Sequence, residues 1–464
     1  MTTSRRTFLS SISMLAASTA MPLSSFAFAP SKKLKVALVG TGIRGITFWG
    51  KRLVDQYSDI LEFVGLSDHN ASRLAYGQKY IGTDCPLFTD FDEMVKTTRP
   101  DLVIVTTKDS NHHEFIVKGL DMGCDVLTEK PMTTDEFKCQ EIIDAEKRSD
   151  KKLIVGFNYR WSPYATKIKE LLQNGSIGDL VSIDFNWYLN TYHGASYFRR
   201  WHGEMESGGS LWVHKATHHF DLLNWWINSE PEQVFAYGDL EFYGKNGPQR
   251  GKNCRSCQYQ NSCDFYWDIN KEPFLKKLYV DHEHEDGYIR DNCLFRENVD
   301  IYDKMSAQVR YRDNTILNYS LTTYSPYEGW RVAFNGTKGR MEAWQDIPYL
   351  KNSTVAEAEK HAKEMEQSGA EETYVEPLIV HKLWQPHQTV EVPMEKSGHG
   401  GGDKRLHDKI FANPNAPDPY DRTAGLRDGA MSILIGIAAR RSIERGVPIN
   451  IADLTELEPK RKRS

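Results

Sequence analysis

The sequence predicts an α/β protein built on a doubly wound parallel sheet, with a second domain behind it. Three observations carry the first part. In "KLKVALVGTGIRG" an apolar run from Leu34 to Val39 leads directly into Gly40, Gly42 and Gly45, as a buried strand does when it turns through glycines into a helix. A second apolar run, from Leu61 to Leu66, ends at Ser67 and Asp68. Strand-like and helix-like segments then keep alternating. The second domain follows from size, because 464 residues exceed what one hydrophobic core usually holds. With 58 basic and 63 acidic side chains the formal net charge is −5. That charge offers no basic face, so no nucleic-acid partner is expected.

The first element, residues 1 to 30, stands apart from the fold. Ser4-Arg5-Arg6-Thr7-Phe8-Leu9 sets paired arginines ahead of a stretch without charge that runs to Lys32. Ser11, Ser13, Ser18, Thr19 and Pro22 make the stretch too weakly apolar for a membrane anchor, and Ala27-Phe28-Ala29 offers a small-residue cleavage site. It resembles a twin-arginine (Tat) signal, which a receptor reads and which carries folded proteins across the bacterial inner membrane. The resemblance implies the Tat export machinery as a partner, cleavage near Ala29 and a periplasmic location. A general secretory signal or a disordered tail is the alternative.

Residues 33 to 155 read as the dinucleotide-binding domain. Gly40 permits the tight turn, Gly42 lets the backbone approach a pyrophosphate, and Gly45 lets the next helix pack on the strand, with Ile43 and Arg44 between them. Asp68 at the second strand end can accept hydrogen bonds from ribose hydroxyls and repels a 2′-phosphate, which favours NAD over NADP; Arg73 nearby leaves NADP open. "PDLVIVTT" is a third strand, "HHEFIVKGLDMG" a helix and "CDVLTEKP" a fourth strand. Ligands of such sheets lie at the carboxyl ends of the strands. Thr107, Asn111 and His112 follow the third strand, and Glu129-Lys130-Pro131 the fourth. A lysine placed there can hydrogen-bond a substrate hydroxyl and stabilise a developing alkoxide.

The glycine turn, Asp68, Glu129-Lys130-Pro131, the strand-like "LIVGFNYRW" and the later "GGSLWVHKATHHFD", in that order, resemble the Gfo/Idh/MocA family of nicotinamide-dependent sugar and polyol oxidoreductases. The resemblance implies a Rossmann domain to about residue 155. It also implies an α/β domain over 156–464, built on an open, mostly antiparallel sheet that lines the substrate site or a subunit interface, and a homo-oligomer. In the second quoted stretch the family usually carries Gly-Gly, an aspartate, a histidine four residues on and a further aspartate three beyond. His218 and Asp221 match; His214 takes the place of the first aspartate, with Lys215 beside it. If the stretch is helical, His214, His218 and Asp221 share one face. The resemblance implies that His218 bonds the reacting hydroxyl and works with Lys130, while His214 and Lys215 form a second acid/base pair. The competing readings are a packed helix whose histidines satisfy hydrogen bonds, and a metal site.

A later stretch, "EKSGHGGGDKRLHD", flanks Gly400-Gly401-Gly402 with His399 and Asp403. It resembles, in part, the Gly-His-Gly-Gly segment of the NAD-dependent glycosidases of family 109. That likeness implies a redox-neutral cycle of oxidation at C3, elimination across C1 and C2, addition of water and re-reduction; a glycine hinge is the plainer reading. Aromatic residues crowd positions 159–201, and rings of this kind stack on the C–H faces of pyranosides. Tyr159, Arg160, Tyr192 and His193 are therefore expected on a carbohydrate substrate, together with Asp221 and His399. Free NAD is expected to be scarce beyond the inner membrane, so an exported enzyme should hold its cofactor through the cycle. The reading is an exported oxidoreductase with tightly bound NAD acting at C3 of a pyranoside. The redox-neutral glycosidase is the alternative, and a sugar- or dinucleotide-binding protein without activity is the reading from another class.

Cys254, Cys257, Cys263 and Cys293 fall in a polar insertion at about 245–295. A structural zinc, disulfides formed after export and free thiols all remain open there. The polar segment 352–376 reads as an exposed helix, and "GLRDGAMSILIGIAARRSIERG" as a packed helix stopped by Gly446.

Overall fold

The computed structural model describes residues 32–347, 373–395 and 398–462, and the chain from Lys33 onward forms one unit. The Tat-like segment and residues 352–372 of the expected exposed helix lie outside the described residues.

The first sheet contains β1 (Leu34–Val39), β2 (Leu61–Ser67), β3 (Leu87–Phe88), β4 (Leu102–Val105), β5 (Asp125–Thr128) and β6 (Leu153–Val155). All are parallel, in the order β3-β2-β1-β4-β5-β6. Every residue of the apolar run in β4 is buried, as a strand covered on both faces requires. The covering helices are α1 (Arg52–Tyr57, continuing from the wide turn Gly45–Lys51), α2 (Ala71–Ile81), α3 (Phe91–Thr98), α4 (His112–Asp121) and α5 (Glu136–Arg148). Asn70, Asp90 and Asp135 cap α2, α3 and α5 with side-chain oxygens. The strand-like "LIVGFNYRW" is strand only over β6, because Gly156 N–H donates to Thr128 O at 2.9 Å and the chain then coils into a short turn at Tyr159–Trp161.

The second sheet is nine-stranded and mostly antiparallel. Its strands are β7 (Leu180–Asn190), β8 (Pro231–Asp239), β9 (Lys304–Tyr311), β10 (Ile316–Ser325), β11 (Gly329–Gly336), β12 (Gly339–Gln345), β13 (Thr373–Lys382), β14 (Gln388–Glu395) and β15 (Ile449–Asn450), in the order β14-β13-β12-β11-β7-β10-β9-β8-β15. Only β7 and β10 pair in parallel. Strict alternation of buried and exposed positions along β9 shows one packed face and one open face. Against the sheet lie α6 (Pro163–Gln173), α7 (Thr191–Arg199), α9 (Leu211–His214) and α10 (Ala216–Ile227), while α8 (Met205–Gly208) packs beside α9 and the Asp109–Asn111 turn. The end of the expected exposed helix, residues 373–376, is strand instead, because β13 begins at Thr373.

Between β8 and β9 the chain makes the cysteine-bearing insertion, which carries α11 (Pro273–Leu278) and α12 (Glu283–Asp286). It docks on the first domain: Phe274 packs on Tyr80 at 5.1 Å, and Asn70 Nδ2 donates to His282 O at 2.9 Å. The zinc expectation does not hold. Among the described residues no group of three or more His, Cys, Asp or Glu is arranged to take a metal ion, and all seven cysteines are free thiols. Cys254, Cys257, Cys263 and Cys293 do line one cavity of about 20 Å³. There Arg199 donates to Cys254 Sγ at 2.8 Å, and burial raises that thiol's pKa. The remaining helices are α13 (Gly402–His407) and α14 (Leu426–Arg445), the latter stopped by Gly446 in the left-handed region. Val155 N–H donates to Ala424 O at 2.9 Å, which ties the approach to α14 to the edge of the first sheet.

Candidate active site

A cavity of about 1540 Å³ runs from the carboxyl ends of β1, β2, β4 and β5 to the junction of α9 and α10. Its dinucleotide end is shaped by glycine. Gly40 has φ +95°, and a Cβ on it would stand 2.7 Å from the Thr106 carbonyl carbon; one on Gly45 would stand 2.1 Å from Gly40 O. At Gly42 the nearest atom is Tyr279 Oη at 3.6 Å, so the backbone there faces the cavity. These are the features a dinucleotide needs: a tight turn, an approachable backbone and a helix packed close behind. Gly45 serves from behind and does not line the cavity.

Asp68 sits at the end of β2 and accepts from Thr41 N (2.7 Å), Thr41 Oγ1 (2.9 Å), Asn70 N (3.0 Å) and Arg73 (3.1 Å). Burial pushes its pKa up, but Arg73 and the backbone amides outweigh it and hold the carboxyl below its ordinary value. Arg73 is itself pinned between Asp68 and Asp286 of α12, the latter at 2.7 Å. Tyr279 reaches in from the same insertion, where its hydroxyl accepts from Ile43 N at 2.9 Å. His112 joins two strand ends through contacts to Pro131 O (2.7 Å) and Thr107 O (3.1 Å). Thr107 and Asn111 also line the cavity.

The strand ends then deliver the titratable groups. Glu129 accepts from Arg44 Nε (2.5 Å) and Trp49 Nε1 (2.7 Å), and these partners overcome its burial and keep it ionised. Lys130 donates through Nζ to His214 O at 3.2 Å, and burial lowers its pKa from 10.5 to about 8 against the pull of Asp109 and Glu129. The chain that carries His214 and His218 is not one helix. It breaks at Lys215 between α9 and α10, which turns His214, Lys215 and His218 all toward the cavity. His214 Nδ1 lies 2.5 Å from Asp109 Oδ2. Burial, with Lys130, Arg200 and Lys215 close by, holds the His214 imidazole neutral well below its ordinary pKa. His218 is held neutral in the same way, with its Nδ1 buried and unpartnered among the described residues.

The opposite wall is Tyr159, whose ring centroid lies 4.8 Å from His218 and 4.7 Å from His399. His399 Nδ1 lies 2.8 Å from Asp403 Oδ1 and 2.9 Å from Asn158 Nδ2. The glycine run makes this approach possible: His399, Gly400 and Gly401 all have positive φ, and a Cβ on Gly398 would meet Asp403 at 2.2 Å. His193 pairs through Nδ1 with Glu328 at 3.0 Å.

Three expected substrate residues lie off the cavity. Arg160 and Asp221 form a buried ion pair, Nε to Oδ2 at 2.8 Å and a terminal nitrogen to Oδ1 at 2.5 Å, with each side chain 1% exposed. Asp221 follows His218 on α10 but is turned onto Arg160, which takes both of its oxygens. Tyr192, at the start of α7, is 47% exposed and outside the lining. Sequence reasoning missed Asp109, Glu328, Tyr197, Arg200, Tyr279 and Arg290, all of which line the cavity. Asp109 could have been found, because it lies between Thr107 and Asn111 in the loop after β4. Tyr279 and Arg290 carry no local signal.

A dinucleotide cradle at parallel strand ends, opening onto a lysine of lowered pKa among neutral imidazoles, defines the class of nicotinamide-dependent oxidoreductases. The chain belongs to the Gfo/Idh/MocA oxidoreductase family: residues 34–157 match its NAD-binding Rossmann fold and residues 169–451 its C-terminal alpha/beta domain. It is 36% identical to YteT of Bacillus subtilis, by name a presumed oxidoreductase, over 91% of this chain and 99% of that one. An inositol 2-dehydrogenase/D-chiro-inositol 3-dehydrogenase of Lactiplantibacillus plantarum is 25% identical over 44% of this chain and 55% of its own. Among solved structures, levoglucosan dehydrogenase with NADH and levoglucosan superposes with a TM-score of 0.63 at 15% identity, covering 90% of this chain and all of that one. The WlbA dehydrogenase of Bordetella pertussis, with NADH and UDP-GlcNAcA, gives 0.61 at 17% identity over 90% and 99%.

Proposed function

We propose that this chain is an exported enzyme that oxidises a ring hydroxyl of a pyranoside, at C3, with NAD retained in the Gly40–Gly45 cradle. The observation that carries the reading is the position of Lys130. It stands where the cradle opens into the sugar-sized part of the cavity, with His214 and His218 beside it. NAD bound there supplies the hydride acceptor for the ring carbon. Lys130, with a pKa of about 8, is matched to take the hydroxyl proton near neutral pH. Neutral His218 offers Nε2 to the same hydroxyl and orients it. Burial raises the Asp109 carboxyl well above its ordinary pKa, so Asp109 and His214 hold one proton between them across their 2.5 Å contact; with that proton on Nδ1, His214 leaves Nε2 as a second acceptor toward the substrate.

Locking of Arg73 by Asp68 and Asp286 supports NAD over NADP, because no guanidinium is left for a 2′-phosphate. The insertion that bonds the glycine turn through Tyr279 supports retention, as does the Arg5-Arg6 signal. Self-association through the open face of the second sheet belongs to the same proposal.

A second reading rests on the His399–Asp403 pair, which faces His218 across Tyr159. A carboxylate-oriented imidazole there is placed to take the C2 proton of a 3-keto sugar, and the reaction would then continue to loss of the aglycone. Protein purified without added cofactor should release NAD on denaturation in close to molar amount. Incubation with glycosides in deuterated water separates the readings: a 3-keto product without deuterium at C2 fits the oxidoreductase, and deuterium at C2 of a released sugar fits the glycosidase. Absence of bound nicotinamide would overturn retention.

A further inference from the structure

The carboxylates of the cavity are mostly spoken for. Asp68 and Asp286 hold Arg73, Glu129 holds Arg44, Asp109 holds His214 and Glu328 holds His193. Arg200 and Arg290 also line the cavity. Among the described residues, neither has a carboxylate within the 4.0 Å of an ion pair. Arg200 directs Nε to Ser196 O at 2.9 Å and stands over the Tyr197 ring at 5.1 Å. Arg290 stands over the Tyr279 ring at 4.8 Å. Burial, and then Arg290, lowers Arg200 to about 10, whereas Tyr288, which also hydrogen-bonds it, and Tyr279 outweigh burial and raise Arg290 above its ordinary value. Lys130 and Lys215 add positive charge nearby. A protein does not hold two partly buried guanidiniums together without a counter-charge at no cost. A planar fork of donors fits one class of ligand best, an oxyanion.

We propose that Arg200 and Arg290 form an anion subsite for the substrate, so that the sugar oxidised by this enzyme is acidic, carrying a carboxylate or a phosphate. The inference rests on the pyranoside reading above and names its substrate class. Placement distinguishes this subsite from the cofactor cradle. Arg200 follows α7 and flanks Tyr197, whose ring lies 5.3 Å from His214 and whose hydroxyl lies 3.1 Å from His193. That is the proton-transfer end of the cavity, whereas the cofactor pyrophosphate belongs to the glycine turn. Arg290, over Tyr279, stands between the glycine turn and the Arg200 end, close enough for its charge to act on Arg200 and His202, so Arg200 is the residue whose placement separates the subsite from the cradle.

The test is titration calorimetry of the holoprotein with glucuronate, a hexose phosphate and neutral methyl glucoside, repeated on Arg200→Gln and Arg290→Gln. NAD content is measured in each preparation. The wild type should bind one of the two acidic sugars at least about tenfold more tightly than the neutral one. Arg200→Gln should remove most of that preference while bound NAD and neutral-sugar affinity stay unchanged. The better acidic ligand identifies the oxyanion. Equal binding of acidic and neutral sugars by the wild type overturns the subsite, as does loss of NAD with the acidic preference intact, which would assign the arginines to the cofactor. Because binding is read directly, these outcomes stand apart from turnover: a neutral pyranoside oxidised well leaves the proposed function in place and removes only this subsite.

Discussion

Asp109 holds His214 at 2.5 Å, and the carbonyl of the same histidine accepts the Lys130 ammonium at 3.2 Å. Asp109 follows β4, Lys130 follows β5 and His214 closes α9, so three separate segments converge on one cluster, which the proposed function makes the proton-transfer centre. In this arrangement Asp109 is a positioning residue, because it acts on the imidazole and not on the substrate. Asp109→Asn should lower kcat about 10- to 100-fold, with NAD content and thermal stability close to wild type and the pH profile altered. Wild-type kcat and pH dependence in this variant would show that His214 takes no part in proton transfer.

The lowered pKa of Lys130 gives a signed pH dependence. The amine is the proton acceptor only when neutral, so oxidation should rise with pH through about 8 and level off above it. About a tenth of the plateau rate should remain at pH 7. Lys130→Met should lose about 10²- to 10⁴-fold in kcat/KM. A rate that falls through the same pH would mean that Lys130 acts charged, by stabilising an alkoxide.

Asp286 takes up the second side of Arg73 from the insertion, and on the proposed reading this sets cofactor choice. Asp286→Ala should free that guanidinium and raise affinity for NADP relative to NAD by about tenfold. Fluorescence titration of protein stripped of cofactor reads the ratio. An unchanged ratio would remove Asp286 from the specificity account.

The Arg160–Asp221 pair is a structural bond, and both groups are almost wholly buried. Asp221→Ala leaves the guanidinium with Asp428 alone as its carboxylate, at 2.9 Å, and should destabilise the protein by about 1.5–3 kcal/mol in denaturant melts. A variant that keeps its stability but loses activity would return Asp221 to the chemistry.

His407 is caged by Phe48, Trp49, Tyr57 and Phe411, with both ring nitrogens unpartnered among the described residues. Burial lowers its pKa from 6.5 to about 3. The unfolded chain therefore takes up a proton that the folded chain refuses. The stability held above about pH 6.5 is lost as pH falls toward 3, and the loss already amounts to about 2 kcal/mol at pH 5. His407→Phe should flatten that part of the acid dependence of Tm; an unchanged slope would assign the loss to other groups.

Much of this was legible in the sequence because it is local. The apolar run into Gly40-x-Gly42-x-x-Gly45 specifies strand, turn and helix within a dozen residues, and Lys130 announces itself at a strand end. Asp221 was misplaced because its partner, Arg160, lies 61 residues away in sequence, and a shared helix face does not tell which carboxylate a distant guanidinium will take. The Arg73–Asp286 pair and the Tyr279–Ile43 bond were beyond reach, because they depend on where an irregular insertion docks. The four insertion cysteines gave spacing alone, and spacing does not say that an arginine stands against one of the thiols.

The central claim is that Lys130 drives oxidation of a sugar by nicotinamide the protein already holds. Rapid mixing of the purified, cofactor-untreated protein with acidic and neutral pyranosides, followed by the absorbance of reduced nicotinamide, measures this directly. The account predicts reduction within a single turnover in the wild type and its loss in Lys130→Met that still carries NAD. Equal reduction in the two proteins, or none in the wild type with any pyranoside, would contradict it.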